Sequence, residues 1–176
     1  MKQGNRMREV LRSYFKQFDT YDDERLPQMP VPDDATPGIF VGAEEDGWVR
    51  WRPREKDEFF DLGELENNAK ISIPQSIKDF MNSWWFGDLD VQFGENRFAI
   101  DPIIPGNYRA DFYSRLLGYK RAHQGRLEYI PIGICMMTGD LLVVEIKSGK
   151  VCTEEFDAGE YRVISNDLEE FFESGN

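Results

Sequence analysis

The sequence predicts an α+β fold: a single domain over residues 1–176 with a largely antiparallel sheet and packed helices. Three observations predict it. Apolar residues recur at helical spacing in some stretches and alternate with polar ones in others. Neighbouring strand-like stretches are joined by loops too short for a crossover helix, so they must pair antiparallel. Strands and helices are grouped along the chain rather than strictly alternating. A chain of 176 residues, 40% hydrophobic and 14% aromatic, can bury enough apolar surface to offset chain entropy, which excludes a disordered acidic tail.

The elements follow in order. From Arg6 to Phe18, the residues Val10, Leu11, Tyr14, Phe15 and Phe18 form one apolar stripe, so the first element is an amphipathic helix. Residues 19–38 carry Pro27, Pro30, Pro32 and Pro37 among acids and predict an extended, Pro-rich acidic surface arm. Ile39–Val41 and Trp48–Trp51 flank Glu44, Glu45, Asp46 and Gly47, a hairpin with an acidic tip. Residues 52–70 are highly charged and aperiodic and are expected to be a loop with one helical turn around Leu62–Asn67.

Ser72, Ile73 and Pro74 mark a helix start, with Ile77, Phe80, Met81, Trp84 and Trp85 on its buried face. Leu89, Val91 and Phe93 alternate with Asp88, Asp90 and Gln92 before a turn at Gly94–Asn96, which predicts a second hairpin. Tyr108, Phe112, Leu116 and Tyr119 mark a third helix that exposes Arg109, Arg115, Lys120, Arg121 and Arg126. "YIPIGICMM", "LLVVEIK" and "VCTEEF" are separated by Thr138-Gly139-Asp140 and Ser148-Gly149-Lys150, a C-terminal three-stranded meander. Asn166 is expected to cap a closing helix over Asp167–Glu173.

The charge excludes several functions. A net charge of -12 repels the phosphate backbone of nucleic acids and anionic lipid surfaces and favours a basic protein partner. Cys135 and Cys152 lie in apolar strands outside any CxxC spacing, so both are expected to be buried free thiols. No apolar leader and no 18-residue apolar run occurs, which predicts a cytoplasmic protein without a membrane span. One histidine with two isolated cysteines cannot make a zinc site. There is no calcium-loop, GxGxxG or P-loop pattern. No cofactor or metal is expected. His123 ends the basic helix, where a cation suits the dipole, and lacks an evident orienting partner or nucleophile, so no enzyme activity is expected.

Charge placement is the distinctive feature. Arg109–Arg126 holds five bases against Asp111, whereas residues from Leu127 onward hold 11 acids against three bases. Either the basic helix packs on the acidic third and neutralises it, or an acidic face edged by aromatic residues stays free to dock a basic partner. The candidate partner-binding residues are those in acidic or aromatic segments: Glu44, Glu45, Asp46, Trp48, Trp84, Trp85, Asp88, Asp90, Glu154 and Glu155.

Several of these segments carry a likeness to a known family. "TPGIFVGAEEDGWVRWRP", "IPQSIKDFMNSWWFGDLDVQFG", "FYSRLLGYKRAHQGRL" and "PIGICMMTGDLLVVEIKSGKVCTEEF" with "SNDLEEFF" resemble the Syd family within the SUKH superfamily, over almost the whole chain. The most specific elements are the aromatic stretch running into "FGDLDVQFG" and the "SGKVC" turn. The resemblance implies an α+β fold, no catalysis, and an acidic concave surface that meets the basic cytoplasmic loops of the SecY translocon subunit. Such a protein would be cytoplasmic, peripheral on the inner membrane through its partner. Cytoplasmic loops of membrane proteins are enriched in Lys and Arg, which agrees with the charge. Other SUKH members are immunity proteins that neutralise polymorphic toxins, often nucleases with basic surfaces, and this is the alternative reading.

Overall fold

The computed structural model describes residues 4–33, 38–106 and 108–175. Residues 34–37 of the expected arm lie outside the described residues. The architecture is α+β, built on a six-stranded antiparallel sheet. Its strands are β6 (Leu89–Phe93), β7 (Asn96–Ile100), β8 (Tyr129–Cys135), β9 (Leu141–Glu145), β10 (Val151–Glu155) and β11 (Glu160–Ser165). They lie side by side in chain order. The expected three-stranded meander is therefore one half of a larger sheet, extended by β11 on one side and by the β6–β7 hairpin on the other.

Helices α1 (Gly4–Phe15), α3 (Gln75–Met81) and α5 (Leu168–Ser174) pack on one another. Their apolar stripes join Val91, Phe98, Leu142, Val144 and Val151 in the main core. Stacked and edge-on rings bind the layers: Phe171 stacks on Phe93 at 5.1 Å, and Phe172 stacks on Phe80 at 5.6 Å. α1 ends at Phe15, and a 3-10 turn over Lys16–Thr20 carries Phe18 into the core. Asp167, not Asn166, caps α5, accepting from the Glu170 N–H at 2.7 Å. Among the described residues no helix is long and apolar enough to cross a membrane.

The Pro-rich arm is more ordered than its composition predicts. It contains a 3-10 turn at Asp23–Arg25 capped by Asp22 and a strand, β1 (Gln28–Pro30), paired antiparallel with β3 (Trp48–Trp51). β3 also pairs with β2 (Phe40–Glu45), and the hairpin between them turns on Asp46 (φ 52°) and Gly47 (φ 85°). Two successive left-handed residues match the right-handed strand twist, which is why Asp-Gly signals this turn.

The charged loop also holds structure: β4 (Arg54–Glu55) pairs with β5 (Trp84–Trp85), and α2 spans Gly63–Ala69. Trp84 and Trp85 thus belong to a strand rather than to the preceding helix, which stops at Met81. Between β4 and α2, Lys56 is buried. Its Nζ donates to the Met81 carbonyl at 2.6 Å and sits 3.5 Å from the Trp85 ring centroid and 4.2 Å from that of Tyr108. Burial lowers the Lys56 amine to about 7, partly opposed by the charge of Glu58.

The long helix α4 (Tyr108–Ala122) joins β7 to β8. Tyr108, Phe112 and Leu116 enter the main core, whereas Tyr119 makes a second, small cluster with Val143 and Cys152. Neighbouring residues of a strand point to opposite faces. Val143 therefore lies on the sheet face opposite Leu142 and Val144, and the last turns of α4 cover part of that second face. The rest is open: Ile134, Tyr161 and Val163 are exposed.

Candidate functional site

The strand period selects which acids enter the molecule. In β10, Val151, Cys152 and Glu154 are buried while Glu155 at the strand end is exposed. Glu154 pairs across the sheet with Tyr161 of β11, and the two strands are joined by Phe156–Gly159, where Gly159 (φ 65°) donates its N–H to the Glu155 carbonyl at 2.9 Å. This turn places Phe156 and Asp157 beside the end of α4.

A buried carboxylate would be costly unless donors surround it, and here they do. Glu154, 1% exposed, accepts from the Tyr119 hydroxyl at 2.7 Å and from the Tyr161 hydroxyl at 3.1 Å. His123 Nε2 meets the same carboxylate at Oε1. The other ring nitrogen, Nδ1, lies 2.8 Å from the Tyr119 carbonyl oxygen. A carbonyl can only accept, so Nδ1 carries a proton. A hydrogen bond between Nε2 and Oε1 then requires one further proton shared by the pair. The His123 ring stacks on Tyr119 at 3.8 Å and meets the edge of Phe156 at 5.3 Å. Burial drives the Tyr119 hydroxyl far above its usual range, and the neighbouring carboxylate acts in the same direction.

Above this cluster lies a cavity of about 390 Å³. Tyr129 and Tyr161, stacked at 4.0 Å with an 8° interplanar angle, form one wall, and Glu128, Asp157 and Arg126 stand at its mouth. Among the described residues its lining contains no serine, threonine or cysteine. Both cysteines are buried, and burial raises the Cys152 thiol. Among the described residues no group of three or more His, Cys, Asp or Glu is placed to hold a metal ion.

The structure distributes the sequence-predicted residues over three places. Glu44, Glu45, Asp46 and Trp48 share the exposed tip of the β2–β3 hairpin. Asp88 and Asp90 are exposed at the start of β6, where Asp90 pairs with Arg97, and burial raises the Asp88 carboxyl above its usual range. Glu154 and Glu155 lie on β10, four strand spacings from β6, or about 19 Å. Trp84 is half-buried, donating to the Arg8 carbonyl at 3.2 Å. Trp85 is buried, Glu154 is buried with access only to the pocket, and the ten residues do not form one patch. The sequence reading missed Tyr119, Tyr129, Phe156 and Tyr161 around the pocket. The alternation of Tyr161 and Val163 with Glu160 and Arg162 was the available signal for β11.

The basic helix does not neutralise the acidic third. Its cations engage groups elsewhere: Arg109 lies 4.0 Å from Glu64 of α2, Lys120 reaches the Ala69 carbonyl at the end of α2, and Arg115 lies 3.3 Å from Asp101 after β7. Of the described basic residues over 109–126, only His123 lies within 4.0 Å of an acid from the C-terminal third. Among the described residues, no cationic side chain lies within 4.0 Å of Glu128, Glu145, Glu155, Asp157 or Glu160.

The chain is similar to "Protein Syd" of Photobacterium profundum, 23% identical over 128 residues that span 71% of this chain and 69% of that protein. The family model described as Syd protein (SUKH-2) matches residues 5–175. That match covers α1 through α5, including both the acidic strands and the helix that fails to neutralise them, so this chain belongs to the Syd family.

Proposed function

We propose that this protein is a non-catalytic binding module that docks the basic cytoplasmic loops of the SecY translocon subunit. Docking uses the acidic, aromatic-edged end of its sheet. The observation that carries the reading is the set of carboxylates without a cationic partner among the described residues, Glu128, Glu155, Asp157 and Glu160, near the exposed rings of Phe156 and Tyr161. Aromatic anchors inside a charged rim suit a protein interface, and uncompensated acids attract Lys- and Arg-rich loops. Family membership supports the choice of partner. The protein then works in the cytoplasm, held at the inner membrane through its partner. The hairpin tip Glu44, Glu45 and Asp46 with Trp48, and Asp88 with Asp90, are secondary contact points for a partner that extends across the molecule.

Peptides of the SecY cytoplasmic loops, titrated against the full chain, test this. Affinity should fall as salt rises, and Glu155→Gln with Glu160→Gln should weaken binding more than Glu44→Gln with Glu45→Gln. Affinity that is indifferent to salt rejects acidic docking. Capture of a nuclease toxin instead of SecY would move the protein to the immunity role.

A further inference from the structure

We propose that the pocket over Glu154 receives a single cationic side chain of the protein partner, a guanidinium by preference. This rests on the reading of a basic partner and names the place where one of its charges is bound. Tyr129 and Tyr161 line the pocket stacked face to face, which leaves the outer face of each ring uncovered by the other, and a planar guanidinium stacks on an aromatic face better than a compact ammonium. Two carboxylates at the mouth, Glu128 and Asp157, are free of cationic partners among the described residues. They can accept the in-plane N–H groups of a guanidinium. The floor is already organised: Glu154 is held by Tyr119, Tyr161 and His123, so seating a ligand requires no reordering of the buried charge.

One group opposes the ligand. Arg126 stands at the mouth without a carboxylate within 4.0 Å among the described residues and repels an incoming cation. His123, the other basic group in the lining, is already engaged by Glu154. Two unpaired acids therefore outweigh one unpaired base at the entrance.

The experiment is a nuclear magnetic resonance titration of the full chain with N-acetyl-arginine amide, using N-acetyl-citrulline amide as a probe of the same shape without charge. The arginine probe should shift the ring signals of Tyr129, Tyr161 and Phe156, and the citrulline probe should not. Glu128→Gln with Asp157→Asn should weaken the arginine probe by up to about tenfold, the range expected for two exposed ion pairs. Arg126→Gln should strengthen it by about threefold. Equal shifts from both probes, or no shift at the three rings, overturn the proposal. If SecY loop peptides bind with salt dependence while the arginine probe leaves the rings untouched, this inference fails and the basic-partner reading stands. If the loops do not bind but the arginine probe does, the pocket stands and the partner is wrong.

Discussion

Lys56 and Glu154 are both 1% exposed, yet the molecule accommodates them in opposite ways. Lys56 meets no carboxylate within 4.0 Å among the described residues; a backbone carbonyl and two ring faces surround it. It is sealed under Trp85 and Tyr108 and ties the segment after β4 to the end of α3. Glu154 has an imidazole partner and two hydroxyl donors, and it borders an open pocket. Burial of a charge is thus a poor indicator of function by itself. What separates a structural clamp from a binding floor is whether the satisfied group opens onto space that another molecule can enter.

The sharpest way to break this contrast is His123→Ala. It removes the imidazole that meets Glu154 and leaves the buried carboxyl with two hydroxyl donors, so stability should fall by about 3 kcal/mol. A denaturant midpoint close to that of the wild type would show that the pair is not the buried contact described here.

Lys56→Met probes the other partner in the comparison through pH. The folded amine titrates near 7 against 10.5 for an ordinary lysine. Between those values the unfolded chain holds the extra proton, so stability rises with pH. From pH 7 to pH 9 that gain is about 2 kcal/mol for one group, and Lys56→Met should remove it. Denaturant midpoints of both proteins at the two pH values check this; equal slopes would mean that the amine stays charged in its cage.

The smallest effect is expected from Tyr161→Phe. It deletes one donor to Glu154 while preserving the ring wall, and should cost about 1 kcal/mol with the other donors in place. A loss as large as that of His123→Ala would make the cluster a single cooperative unit rather than a primary pair with helpers.

Much of this fold was legible because its signals are local. The stripe Val10, Leu11 and Phe15, the Asp46-Gly47 turn, and the short loops at Gly139 and Gly149 each report on residues within a few positions. The strand at Trp84–Trp85 was not, since two large aromatics four positions after Phe80 and Met81 extend a helical pattern equally well. Pairing with Arg54 and Glu55, some 30 positions earlier, decides the matter. Lys56 sits in the run "REKDEFFD", where composition points to solvent and tertiary packing overrides it. The site was legible in part. Alternation in β10 separates Glu154 from Glu155, but the partnership of His123 with Glu154 joins residues 31 positions apart, and no local pattern announces it.

The packing of α1 on α5 also has a kinetic side. During synthesis the apolar stripe of Met7, Leu11 and Phe15 leaves the ribosome well before α5, the helix that covers part of it. At translation rates of about 5–20 residues per second, that stripe waits roughly 8 to 30 s for α5. The six-stranded sheet pairs chain neighbours throughout and can assemble as it emerges. The nascent chain therefore carries a greasy N-terminal helix beside a nearly finished sheet, which makes α1 the segment on which a holdase would act.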